Sequence, residues 1–235
     1  MALRLDRTLA NLGYGSRAEV RAFVLSGRVR VDGRTLRDPA SKVEAGSVTL
    51  DGAPLEAPAG LFVALHKPVG YVCSHDDRDG ARVWELLPER WLERNPRPTT
   101  IGRLDKDSSG LLLVTDLHPL VHSLTSPRHH VTKRYVVTLD RPVEEADALA
   151  ASFASGELVL RGEEDDPCLP AELTVLEDDR VQVVLTEGRH RQVRRMFGAS
   201  GYHVETLERI AVGPYELGDL EPGEWRAEDP SLVTA

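Results

Sequence analysis

The chain has 235 residues, 41% hydrophobic and 29% charged, the balance of an ordinary globular protein with one large domain or a large domain plus a small one. No apolar run approaches the ~20 residues needed to span a bilayer, and the N-terminus MALRLDRTLANLGYGSR carries arginines and no apolar signal core. Two distant cysteines, Cys73 and Cys168, exclude a disulfide framework and a Cys-rich zinc site, so cytoplasmic residence is expected. The net charge of −9 argues against nucleic acid only until its distribution is read. Residues 140–179 hold thirteen acids and two arginines, whereas residues 1–37 hold eight arginines and three acids. Bulk charge says little about such local fields. Arginine supplies 25 of the 29 basic residues, which suits planar recognition of phosphate and equally suits a GC-rich coding sequence.

In chain order, Leu3, Leu5, Leu9, Ala10 and Leu12 mark a short amphipathic helix ending near Gly13. Ser16 and Glu19 form an S-x-x-E capping box before a second helix, about Arg17 to Ser26, with Gly27 at its C′ position. RVRVDGRTL and SVTLDGAPL each predict a hairpin, around Asp32-Gly33 and Asp51-Gly52. The polar, Pro-containing segment EAPAG, residues 56–60, reads as a linker and divides the chain into a small module, 1–57, and a larger domain, 58–235. Beyond it, LFVALH, YVCS, TTIG, LLLVTD, RYVVTL, AELTVL and VQVVLT predict strands. Helical signals cover Leu117 to Thr125, Val143 to Ser155 and Arg191 to Ser200. Strands and helices do not alternate strictly, so the expected class is α+β, with a large mixed, mostly antiparallel sheet flanked by helices. The acidic stretch Glu163 to Asp166 reads as a solvated loop.

Three features carry chemistry. The first is the basic face of the leading module, with Arg4, Arg7, Arg17, Arg21, Arg28, Arg30, Arg34 and Arg37. A rigid basic face supplies the shape and phosphate contacts by which RNA helices are read, and would equally serve as a solvated face of a protein-interaction module. The second is GRLDKDSSGLLLVTD, residues 102–116, in which Asp105 lies in a loop ahead of an apolar strand. Such a carboxylate is a candidate nucleophile or base, although most Asp residues in Ser/Gly loops cap turns. Asp107, Ser108 and Ser109 could bond locally to backbone amides. The third comprises two basic clusters: Arg128, His129, His130, Lys133 and Arg134, then Arg189, Arg191, Arg194 and Arg195. The paired histidines have no third ligand at a metal-binding spacing, so no metal is expected.

The order L-D-R-x-L-A, S-R-A-E-V-R, G-R-V-R-V-D-G resembles the αL RNA-binding module of the ribosomal protein S-four type. GRLD followed by SGLLLVTD resembles the catalytic loop of the RNA pseudouridine synthases. HKPVGYVCS (66–74), TSPRHHVTKRYVVTL (125–139), EGRHRQVRRMF (187–197) and GPYELGDLEPGEWR (213–226) resemble that family's other motifs in the same order. The similarity is greatest to the RsuA type, which acts on small-subunit ribosomal RNA, while sister branches act on large-subunit RNA. The chain departs from the usual small-subunit pattern at His190-Arg191 and at Arg194.

The resemblance implies that Asp105 is the catalytic aspartate, that Tyr135 stacks on the target uracil, and that Arg194 pairs with Asp105. It implies RNA contacts from Arg103, Arg128, His129, Lys133 and Arg191, besides Arg4, Arg7, Arg17, Arg21, Arg28 and Arg30. The expected reaction is isomerisation of uridine to pseudouridine, with no cofactor. The expected partner of a monomeric enzyme is ribosomal RNA or an assembling ribosomal subunit. Two rival readings are a non-catalytic RNA-binding assembly protein and a glycosidase using Asp105 and Asp107. Acids with a single residue between them rarely flank a sugar at the ~5–9 Å a glycosidase requires.

Overall fold

A computed structural model describes residues 2–163 and 165–233. In the leading module, β1 (Leu3–Arg4) runs directly into α1 (Leu5–Asn11), followed by α2 (Arg17–Leu25), β2 (Val29–Val31), β3 (Arg34–Thr35), β4 (Lys42–Val43), β5 (Val48–Leu50) and β6 (Ala53–Pro54). The predicted capping box forms: the Ser16 hydroxyl accepts from the Glu19 amide, and the Glu19 carboxylate accepts from the Ser16 amide. Both predicted hairpins form, with Asp32-Gly33 and Asp51-Gly52 all at positive φ, as a tight two-residue turn requires. Leu5, Leu9, Val20, Val24, Val29 and Val48 close a small core of their own.

The larger domain contributes β7 (Phe62–Lys67), α3 (Glu89–Leu92), β8 (Thr99–Ile101), β9 (Ser109–Thr115), α4 (His118–Thr125), β10 (Lys133–Leu139) and α5 (Ala146–Ala154). It continues through β11 (Glu172–Glu177), β12 (Arg180–Leu185), α6 (Gln192–Ala199), β13 (Val204–Val212), β14 (Tyr215–Glu216) and β15 (Trp225–Ala227). Nine strands form one sheet in the order β11-β12-β10-β13-β9-β7-β15, with β14 beside β13 and β8 beside β9. Every pairing is antiparallel except β13 with β9. Both faces are covered, which is why β7 and β9 read as unbroken apolar runs. Val63 and Leu65 face Val83, Trp84 and Trp91, while Phe62 and Ala64 face Leu124 and Tyr215. At the other end, Leu149 and Phe153 of α5 and Met196 and Phe197 of α6 pack on Val137, Val181, Val183 and Leu207.

Three sequence expectations change. YVCS is not a strand: after Pro68 and the positive-φ Gly70 the chain makes only a single bridge, Val72 to Arg82, and the Trp84 indole donates to the Ser74 carbonyl. β13 carries no strand signature in the sequence because Glu205, Glu208 and Arg209 interrupt its apolar alternation. The acidic stretch is not a free loop, since Glu163 bridges Arg189 and Arg195, and Asp166 meets Arg189; Glu164 lies outside the described residues.

Segment 56–60 is clamped to both neighbours. Arg94, buried, forms an ion pair of 2.6 Å with buried Asp116 and donates to the Glu56 and Ala57 carbonyls. The Asn95 amide donates to Asn11, the Glu56 amide donates to the Tyr14 hydroxyl, and Arg90 pairs with Glu56 and lies over the Tyr14 ring.

Candidate active site

The parallel seam between β9 and β13 sets up the site. Gly110 pairs with Arg209 across it, at φ +105°, and a Cβ there would stand 2.3 Å from the Arg209 carbonyl oxygen. Only glycine lets the two backbones approach this closely. The loop entering β9, residues 102–108, is therefore held at the rim of a cavity of about 530 Å³. Arg103 and Asp105 from this loop, Lys133 and Tyr135 from β10, Glu187 to Arg191 ahead of α6 with Gln192 at its start, and Arg209 from β13 line that cavity.

Asp105 is half-buried in the wall, and Tyr135 stands on the strand register opposite Arg209 and Val183. The loop between them and the protein interior is stapled by cations. The ammonium of fully buried Lys67, at the end of β7, donates to the Ser108 carbonyl at 2.6 Å and to the Pro68 carbonyl at 3.0 Å. Burial pushes this ammonium below its ordinary range, and the charges of Asp107 and Asp105 work in the opposite direction. Buried Arg209 donates from Nε to the Leu111 carbonyl and from Nη1 to the Arg103 carbonyl, bracing both ends of the loop.

The expected pairing of Arg194 with Asp105 is not the one observed. Arg194 donates to the backbone carbonyls of Val204 (2.7 Å) and Asp107 (2.8 Å), and its Nε lies 3.4 Å from the Asp107 carboxylate. The guanidinium facing Asp105 is that of Arg191, with Nη1 3.8 Å from Oδ2. Arg191 grips Asp107 with both nitrogens, at 3.2 and 2.6 Å. Those bonds hold the Asp107 carboxyl below the ordinary carboxylate range, with the Arg194 charge adding to them. The difference is geometric: Arg191 begins the turn into α6 at φ +49°, which brings its side chain to the loop one helical turn ahead of Arg194. Asp107 is thereby committed to two arginines, which removes the second free acid a glycosidase would need.

Of the remaining predicted contacts, Arg103 is exposed at the rim, and half-buried Lys133 donates to the Val131 carbonyl. Burial and the charge of Arg209 push the Lys133 ammonium down. Arg128 and His129 lie exposed in the segment between α4 and β10, where His129 bonds the Ser123 carbonyl through Nδ1. The leading module's arginines are outside this cavity; Arg4, Arg7, Arg17 and Arg21 line a separate recess of about 300 Å³ together with Asp6. Sequence reading missed Lys67 and Arg209. Lys67 has a signal, an ammonium closing the apolar run FVALHK; Arg209, beside Glu208 in VETLERIAV, has none.

A model of the RNA pseudouridylate synthases matches residues 61–199, and a model of the S4 domain matches residues 3–48. The chain belongs to the RNA pseudouridylate synthase family. It is 42% identical, across 95% of both chains, to a protein of Escherichia coli (strain K12) named ribosomal small subunit pseudouridine synthase A. It is 38% identical to the protein of that name from Pasteurella multocida (strain Pm70), over 96% of this chain and 95% of the other. A solved pseudouridylate synthase shares the fold over 98% of both chains, with a TM-score of 0.66 and 34% identity. The family match, residues 61–199, takes in most of the cavity lining, whereas Leu207, Arg209 and Val212 lie beyond it.

Proposed function

We propose that this chain isomerises a uridine of small-subunit ribosomal RNA to pseudouridine, with residues 1–57 docking the RNA and residues 58–235 performing the chemistry. The observation that carries the reading is the 42% identity to the Escherichia coli small-subunit enzyme over 95% of both chains, front module included. In the reaction the N1–C1′ bond breaks, the uracil turns, and C5 bonds to C1′; C5 loses a proton and N1 gains one. Redox change and an external reactant are not needed. The base leaves its stack at a cost of a few kcal/mol. In the proposed complex Asp105 acts on the flipped nucleotide, and stacking on Tyr135 contributes ~1–3 kcal/mol. Arg191 supplies the charge beside Asp105, Arg194 fixes the loop, and Arg103 at the rim contacts the strand.

Arg128, His129 and Lys133 extend the RNA path from the cavity, and Arg4, Arg7, Arg17, Arg21, Arg28 and Arg30 hold structured RNA at a distance from it. The enzyme acts as a cytoplasmic monomer on ribosomal RNA or an assembling subunit. Mapping pseudouridine in ribosomal RNA from cells with and without the gene tests the proposal. Loss of one small-subunit site is expected. Loss in large-subunit RNA would assign the sister activity, and an unchanged map would leave an RNA-binding assembly protein.

A further inference from the structure

We infer that Asp107 is a positioning residue for this reaction: it takes up the hydrogen bonds of Arg191, so that the guanidinium stands beside the Asp105 carboxylate without bonding to it. The inference rests on the proposed isomerase activity. An ionised aspartate in a site that closes over RNA needs a nearby positive charge. A forked guanidinium placed directly on that aspartate would occupy both oxygens through two parallel bonds, the usual geometry of an Arg–carboxylate pair. Such a pair would compete with whatever the carboxylate must do to the nucleotide.

The loop resolves this conflict with a second carboxylate two residues on. Arg191 gives Asp107 the short bonds, 3.2 and 2.6 Å, and the same Nη1 stays 3.8 Å from Asp105 Oδ2. One cation serves two anions, and only one of them is tied. Three further observations show how this arrangement is held. Arg191 sits at φ +49°, ψ +34°, a left-handed conformation uncommon for a side-chain-bearing residue. Arg194 fastens the Asp107 backbone through its carbonyl and reaches the Val204 carbonyl as well, so the loop cannot slide along α6. Lys67 holds the next carbonyl, that of Ser108. The position of Asp107 is thus over-determined by three cations, as expected where a residue's placement matters more than its own reactivity.

Asp107→Asn keeps shape and removes the charge that holds Arg191. Single-turnover rates at saturating enzyme should fall about 100-fold, with KM for the RNA changed less than about threefold, because the misplaced group acts in the reacting complex. Asp107→Glu should restore most of the rate. In an Arg191→Gln background, Asp107→Asn should cost less than about threefold more, since the two act as one unit. A rate within threefold of wild type, a rise in KM with the rate unchanged, or equal losses in both backgrounds would each overturn the inference. Asp107 is exposed at the surface, so Asp107→Asn is expected to fold; should it not, the Asp107→Glu and Arg191→Gln rates decide. Arg191→Gln must lower the rate at unchanged KM, and Asp107→Glu must stay within about tenfold of wild type. Absence of pseudouridine with the wild-type chain would instead sink the isomerase reading itself.

Discussion

The arginines around the cavity and those on the exposed face of the leading module do opposite things. In the larger domain, Arg189, Arg191, Arg194, Arg195 and Arg209 are all bonded to protein acceptors, either carboxylates or backbone carbonyls. In the leading module, Arg7, Arg17, Arg21, Arg30 and Arg34 are exposed and, among the described residues, their guanidinium groups make no hydrogen bond or ion pair. The first group is structural charge. Arg191, Arg194 and Arg209 fix the loop at the rim of the cavity, Arg189 and Arg195 tie Glu163 and its neighbours to α6 and the segment ahead of it, and rigidity is their contribution. The second group is available charge, and each such cation can exchange condensed counterions for a phosphate. The two groups of arginine look alike in the sequence; the acceptors around them distinguish scaffold from docking surface.

The sharpest way to break this comparison is to remove the proposed reacting group, Asp105, and leave both arginine populations intact. Asp105→Asn should lower turnover by at least ~10⁴, as with other single-nucleophile removals, while RNA affinity stays within a few fold. A filter-binding titration beside a tritium-release assay checks both halves. Activity within tenfold of wild type would mean that the arginine-stapled loop presents some other residue.

A smaller effect is expected at the junction of the two regions. Removing one member of a buried ion pair costs ~3–5 kcal/mol. Arg94→Ala takes the cation from Asp116 and the donors from Glu56 and Ala57 at once. Calorimetry should show a lower melting temperature, with activity on short RNA fragments reduced less than activity on long structured RNA. A wild-type melt would show that the clamp between the halves carries no load.

Much of this was legible in the sequence. Capping box, hairpins and buried strands have local signatures, and Ser16, Glu19, Gly33 and Gly52 carry them in plain view. Asp105 stands out in the sequence because its loop has a family pattern. The arginine partners were not legible, since Arg191 and Arg194 are three residues apart on one segment, and which of them faces Asp105 depends on a left-handed backbone at Arg191. Arg209 stayed hidden for a different reason: a strand interrupted by three charged residues does not show the period of a buried element, and its burial comes from the parallel seam with Gly110. Long-range contacts of that kind leave no periodic trace.

Arg194 tests the scaffold side directly. Two charge-assisted bonds to backbone carbonyls put its removal on the order of 3 kcal/mol, so Arg194→Ala should lower melting temperature and turnover together. Arg194→Lys retains the charge and loses the fork that spans Val204 and Asp107, so it should recover roughly half of each loss. Full recovery by lysine would show that charge alone, and not the two-point tie, is what the loop uses.

The smallest effects should come from the docking side, and there the leading module contains its own control. Arg28 lies in the same module as Arg17 and Arg21, but it already holds Asp51 at 2.9 and 2.5 Å and lies over the Phe23 ring. Arg17 and Arg21 have no such anchor. Replacing either by alanine should flatten the dependence of log Kd on log salt by up to ~0.9 per lost phosphate contact. It should raise KM with kcat unchanged, because contacts made equally in ground and transition state affect binding alone. Arg28→Ala should flatten the slope less, since part of its charge is already neutralised by Asp51 and its contact with RNA is correspondingly weaker. Salt titrations of the three variants on one ribosomal RNA fragment, under identical buffer, decide the matter. If Arg28→Ala changes the slope as much as Arg21→Ala, pairing within the protein does not set which arginines meet the RNA. The contrast between the two halves would then reflect position on the surface rather than partnership.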